Sequence, residues 1–231
     1  MEPTSPAPQR AFFGRRKGHA LKPRQAALFD SLLPKIALDL AKPAPSDLRA
    51  LFAGADDVRL EIGFGGAEHL IAQAKANPRV GFIGSDGFIN AIAKALAAVD
   101  ADRLDNVRLH HGDASELIDW LPDAALSRID LLYPDPWPKR RHWKRRFIQD
   151  ESLKRLARIL KRGGELRFAT DIADYAAWAL TRVLRSKDFI WTAESADDWR
   201  KPWPDFFGTR YEAKAKREGR VPAYFVFRKL S

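Results

Sequence analysis

Between residues 58 and 170, short apolar or β-branched runs of strand length alternate with stretches of helical periodicity. That pattern commits the chain to a parallel sheet covered by helices, because each parallel step needs a crossover connection. Strands are expected at 58–62 (VRLEI), 80–84 (VGFIG), 107–110, 129–133 (IDLLY) and 165–170 (ELRFAT), with helices over 67–76, 90–99, 116–121, 147–160 and 172–184. Two later runs, 189–193 and 223–228, suit a closing antiparallel pair and bring the sheet to about seven strands. The regions 134–146 and 199–221 are long, charged and rich in Trp and Pro, without periodicity. Irregular segments of that length in a compact domain are more often functional than idle.

The hydrophobic share, 45%, suffices for a single buried core. We expect one domain over 31–231, preceded by a basic, partly disordered tail over 1–30. The tail has no apolar stretch of signal-peptide type. No run approaches the ~20 apolar residues of a membrane span. The absence of cysteine excludes disulfides, thiolate metal sites and cysteine nucleophiles. It suits a reducing cytoplasm. The five histidines form no metal-binding pattern: His110 and His111 are adjacent on a strand and point to opposite faces.

Each early strand ends in an acid or a glycine, and ligands of open parallel sheets sit beyond those carboxyl ends. Glu61 precedes Gly63 and Gly65, Asp86 follows the second strand, Asp113 the third and Asp135 the fourth. The dinucleotide fingerprint fails, since Glu68 stands where its third glycine belongs and would repel a pyrophosphate. S-adenosylmethionine has no phosphate and carries a sulfonium and an ammonium group. Four carboxylates attract such a cation by simple Coulomb forces.

The net charge of +10 points to a polyanionic partner. Arg10, Arg15, Arg16, Lys17, Lys22 and Arg24 gather around Phe12 and Phe13. Lys139, Arg140, Arg141, Lys144, Arg145 and Arg146 place six cations in eight residues around Trp143. Cations interleaved with aromatics bind phosphates and stack on bases.

The segments FFGRRKGHALKPRQ, LEIGFGGAEHL, HHGDA, YPDPWPKRRHWKRRF, FATDIADYA and TRYEAKAKREGR identify a family. From about Phe12 to Lys229 the chain resembles the bacterial tRNA (guanine-N7-)-methyltransferases. The resemblance implies a class I, Rossmann-like S-adenosylmethionine-dependent methyltransferase fold, α/β, with a seven-stranded mostly parallel sheet and helices on both faces. It also implies transfer of a methyl group to N7 of a guanine in the tRNA variable loop, position 46. Glu61, Gly63, Gly65, Asp86, Asp113 and Asp135 would meet the cofactor, and Asp135 would mark the catalytic centre. Lys139, Asp171, Thr209, Arg210, Tyr211 and Glu212 would face the substrate, and Arg141, His142, Trp143, Lys144, Arg145 and Arg146 would contact RNA. Two departures stand out: the family usually has Glu at Asp86, and a further spaced glycine where Gly66-Ala67 stands.

Guanine N7 carries a lone pair and no proton, so methyl transfer needs alignment rather than a base. Positive charge grows on the purine during attack, and Asp135, fixed between Pro134 and Pro136, can stabilise it. Trp137 walls the base pocket or belongs to the core; Asp171 faces substrate or caps a helix. Two other readings compete. One is an exocyclic amino methyltransferase of nucleic acid, whose motif places the acid before adjacent prolines or a proline pair. The other is a non-catalytic RNA-binding module. No metal, membrane or obligate protein partner is expected, and the chain should be a monomer or weak homodimer.

Overall fold

The computed structural model describes residues 18–230. Residues 1–17, most of the expected basic tail with Arg10, Arg15, Arg16, Lys17, Phe12 and Phe13, lie outside the described residues. The described chain begins with α1 (Pro23–Ser31) and α2 (Leu33–Ile36), so the tail boundary expected at residue 30 falls within a helix. Then follow β1 (Asp57–Ile62), α3 (Glu68–Ala76), β2 (Val80–Asp86), α4 (Ile89–Asp102), β3 (Val107–His111), α5 (Ala114–Trp120), β4 (Leu126–Leu132), α6 (Asp150–Ile159) and β5 (Leu160–Thr170). The chain continues through α7 (Ala173–Arg185), β6 (Phe189–Trp191), α8 (Asp197–Arg200), α9 (Arg210–Arg217) and β7 (Ala223–Lys229).

The strands form a single seven-stranded sheet in the order β3-β2-β1-β4-β5-β7-β6. Only β7 runs against the rest, pairing antiparallel with both β5 and β6. The expected mostly parallel seven-stranded α/β sheet is therefore what the chain forms. The order reverses direction at β1, whose neighbours are β2 and β4. That reversal opens the crevice where ligands of such sheets bind.

Strand alternation divides the core in two. Val58, Leu60 and Ile62 of β1, Ile129 and Leu131 of β4, Leu166 and Phe168 of β5, and Phe225 and Phe227 of β7 pack in one cluster with α5, α6 and α7. On the other face, Phe82 and Leu109 pack with Leu70 of α3 and with Ile92 and Leu96 of α4. The centre of this second face is polar. Glu61, Arg128 and Asp130 are buried there, and Arg167 points the same way from β5 by the same alternation.

A segment between α8 and α9 covers this polar centre. Asp205 accepts from Arg128 at 2.7 Å and from Arg167 at 2.6 Å, while its carbonyl accepts from Gln73 at 2.6 Å. Trp203 and Phe206 pack on Tyr224 beside it. The region 199–221, expected to be irregular, thus contains α9 and a strap pinned to three elements. Its helix escaped the periodicity because only Glu212 and Ala215 of α9 are buried.

Two further elements differ from expectation. The helix expected over 147–160 is shorter, and β5 begins at Leu160, passing through Gly163 at φ +74°. The register with β4 shifts between Leu126 and Arg128, so what reads as a turn is an irregularity inside a strand.

Candidate active site

A cavity of about 490 Å³ opens at the carboxyl ends of β1 to β4. That is enough room for a nucleoside-sized ligand. Its wall includes Gly63, Gly65, Asp86, Asp113 and Asp135, five of the six residues expected around the cofactor. The crossing of β1 into α3 forms one side. Gly63 and Gly65 have φ of +71° and +53°, and Ala67 follows at +65°. The position where the family's further glycine is missing therefore keeps the left-handed backbone, now with a methyl group on it.

Asp86 closes this loop. Its carboxylate accepts from Gly65 N–H at 2.9 Å and Phe88 N–H at 2.8 Å, tying β1's turn to β2's end. Burial pushes Asp86 above the ordinary carboxylate range despite those donors, with the charge of Asp135 adding to the rise. Asp113 caps α5, accepting from Ser115 N–H at 2.8 Å. Asp135 is also raised, by burial. The three carboxylates share one cavity wall, and acids gathered in this way are best satisfied by a cationic ligand. The donor set thus fits S-adenosylmethionine.

Asp135 sits on a turn held under backbone strain. Tyr133 and Trp137, the residues bracketing Pro134-Asp135-Pro136, have φ of +51° and +43°. Bulky side chains rarely adopt this region, and such strain concentrates at functional sites. Trp137 lines the cavity, with the Arg145 guanidinium 4.9 Å from its ring centroid and His142 edge-on at 5.8 Å. Of its two expected placements, the pocket wall is the one observed.

Glu61 stands apart from the other residues expected at the cofactor. Glu61 lies on the polar face of β1, opposite Leu60 and Ile62, and does not line the cavity. Its carboxylate meets His69 Nδ1 at 2.9 Å, and both side chains are almost fully buried. Burial holds Glu61 above its ordinary range; burial pulls His69 down, but the Glu61 carboxylate outweighs it and holds the imidazole up. Sequence reasoning passed over His69. The signal was present, since His69 and Gln73 stand four residues apart on one helix face and bond at 3.4 Å.

The TRYE segment divides by role. Thr209 caps α9, accepting from Glu212 N–H at 3.1 Å. Arg210 pairs with Glu68 at 2.6 Å, and this ion pair crosses directly over Gly66. Glu212 is buried and accepts from Tyr224 at 2.6 Å and Lys216 at 2.5 Å. Tyr211 alone of the four lines the cavity, its ring resting over Gly65. Asp171 pairs with Arg220. Neither it nor Lys139 is on the cavity wall.

In the basic stretch, Lys144, Arg145 and Arg146 reach the cavity wall, while Arg141, His142 and Trp143 do not. Arg146 differs from its neighbours in that its side chain is 0% exposed. Among the described residues there is no group of three potential metal ligands, and no helix is long and apolar enough to cross a membrane.

Residues 55–224 match a family model described as "Putative methyltransferase". A tRNA (guanine-N(7)-)-methyltransferase of Rhodopseudomonas palustris (strain BisB18) is 56% identical over 231 residues, covering 100% of this chain and 92% of that protein. One of Bradyrhizobium diazoefficiens is 57% identical over 222 residues, covering 96% and 94%. Among solved structures, the 16S rRNA methyltransferase KamB superposes with a TM-score of 0.56 at 16% identity, covering 82% of this chain and 95% of that one. TrmN from Thermus thermophilus gives 0.53 at 18%, covering 79% and 47%. SMU.1697c of Streptococcus mutans, described as "a putative methyltransferase" and solved in complex with SAH, gives 0.50 at 11%, covering 78% and 92%. These distant likenesses bear on the fold alone.

Proposed function

The chain belongs to the tRNA (guanine-N7-)-methyltransferase family, and from that premise we propose how its cavity works. It transfers a methyl group from S-adenosylmethionine to N7 of a guanine in tRNA, and we propose the variable-loop guanine at position 46 as the target. The observation that carries the mechanism is Asp135, rigid between two prolines, on the same wall as Asp86 and Asp113.

S-adenosylmethionine supplies the methyl group on a sulfonium centre. Asp86, Asp113 and the Gly63–Gly65 turn bind that cofactor, with Asp86 offering its remaining lone pairs to the ribose. Glu61 acts from behind, through His69, on the loop rather than on the ligand. Asp135 faces the guanine: its oxygens accept from the base N–H groups and stabilise the positive charge that grows on the purine. No residue takes a proton from N7, because none is there. Trp137 and Tyr211 wall the base. Lys139, Arg141, Lys144 and Arg145 hold the RNA backbone, while Thr209, Arg210, Glu212 and Asp171 shape the α9 side of the pocket. In this reading residues 31–231 are the methyltransferase domain, residues 1–30 a basic arm, the protein a monomer or weak homodimer, and the compartment the cytoplasm.

The test is incubation with tRNA and labelled S-adenosylmethionine, followed by chain cleavage at 7-methylguanosine. Asp135→Ala should lower kcat by about 10²–10³-fold, the scale of losing one preorganised electrostatic partner. Full activity in that variant would remove Asp135 from the mechanism. Label in N6-methyladenine would replace the reading with the exocyclic amino one, and failure to bind the cofactor by calorimetry would leave an RNA-binding module.

A further inference from the structure

The last cation of the basic stretch is built into the protein interior. Arg146 has a side chain 0% exposed, and three rings surround its guanidinium: Trp143 at 4.9 Å, Tyr175 at 5.1 Å and Trp178 at 5.0 Å. Its Nε donates to the carbonyl of Pro136 at 2.9 Å, and Nη2 pairs with Asp174. Nη1 is buried and has no hydrogen-bond partner. Removing a charge from water is unfavourable unless geometry compensates, so this arrangement does not serve a phosphate at the surface. It connects α7 to the residue that follows Asp135.

The turn it grips needs holding. Tyr133 and Trp137, on either side of Pro134-Asp135-Pro136, both have positive φ, a conformation that persists only where the surroundings over-determine it. Asp174 and Tyr175 belong to the FATDIADYA segment, whose own acid Asp171 pairs elsewhere, with Arg220. The tyrosine is fixed in turn, its hydroxyl accepting from Ile148 N–H at 3.3 Å. We propose that Arg146 is a positioning residue: clamped by Asp174 and the aromatic cage, it locks the Pro136 carbonyl and so aims the Asp135 carboxylate. It does not contact RNA. The inference rests on the cavity being the site of methyl transfer.

Arg146→Met keeps the cage filled and removes both polar ties. Asp174→Asn keeps the shape of the clamp and removes its charge. Each is measured for kcat and KM with tRNA, for cofactor binding by calorimetry, and for the salt dependence of tRNA binding in the presence of S-adenosylhomocysteine. Misplacing a catalytic group by about 1 Å costs roughly 10²-fold. We expect Arg146→Met to lower kcat by about that factor, and Asp174→Asn by roughly 10-fold, with the tRNA affinity and its salt slope unchanged. Arg146→Lys, with one donor centre in place of three, should recover part of the loss. A salt slope reduced by about one, with kcat retained, is the signature of a phosphate contact and overturns the proposal. So does a kcat within twofold of wild type in the Asp174→Asn variant, which decides the matter if Arg146→Met no longer binds cofactor. An inactive wild type would instead sink the methyl-transfer reading itself.

Discussion

Burial disfavours the charged forms of Asp86 and Asp135 and raises both above the 3.8 of a free aspartate. A carboxyl raised in the folded state holds its proton there after the unfolded chain has released it. Stability is therefore lost as pH rises through the window from the ordinary value to the raised one. Asp135→Asn should accordingly raise the unfolding midpoint of the ligand-free protein at neutral pH while lowering activity, the usual trade at a working site. In wild type, the acid limb of kcat/KM should lie above pH 3.8; a variant destabilised at neutral pH would contradict this. Ala67 makes a second case. Its left-handed backbone costs about 1–2 kcal/mol, and its buried methyl returns about 0.8 kcal/mol. Ala67→Gly should then leave stability within about 1 kcal/mol, whereas Ala67→Val, branched and buried, should lose roughly 2 kcal/mol or more in urea unfolding. At this scale the sequence was informative where backbone chemistry is local: the glycine turn and the proline-fenced Asp135 stand where expected. The placement of Glu61 was less legible, because nearness to the strand end does not show the alternation that turns its side chain to the other face. The burial of Arg146 was not legible, because a run of cations does not reveal which one the core takes.

Among the elements, the strap from α8 to α9 does what neither flanking helix can. Arg128 and Arg167 project from adjacent parallel strands into one face, and Asp205 bridges the two. Burial opposes the charge on Asp205, but the two guanidinium groups outweigh it and hold its carboxyl down to about 2. Asp205→Ala leaves Arg128, 4% exposed, with Asp130 as its remaining ion-pair partner. Breaking a buried pair costs about 3–5 kcal/mol. Because the Asp205 side chain is 41% exposed, solvent screening reduces this, and we expect a loss of about 2 kcal/mol in urea unfolding. Cofactor affinity should fall with it, since the same strap carries Tyr211 over Gly65. An unchanged midpoint would mean the strap is held by Trp203 and Phe206 alone. Strands and helices of the parallel half were legible because each buries an apolar face of regular period. The strap was not, because its contacts are polar and join residues far apart in sequence, as Asp205 and Gln73 are at a separation of 132.

For the whole molecule, the charge of +10 is distributed rather than uniform. With Arg146 withdrawn into the core, Lys139, Arg140, Arg141 and Lys144 remain as the exposed cations of that stretch, and Arg145 lies half-buried over Trp137. About five phosphate contacts give a salt slope near −4, so tRNA affinity should drop roughly 10²–10³-fold between about 50 and 200 mM salt. A flat isotherm would remove this surface from recognition. One consequence of the sheet order concerns the chain as it is made. The sheet's last strand in sequence, β7, is not at its margin but between β5 and β6. Until Ala223–Lys229 has left the ribosome, β5 presents an open edge and Phe168 lacks Phe225, which stacks on it at 5.9 Å. Tyr224, the anchor of Glu212, arrives in the same few residues. Synthesis therefore delivers the Gly63–Gly65 turn early and the anchor of its cover last, so that a nascent chain cannot close the cavity before translation reaches β7.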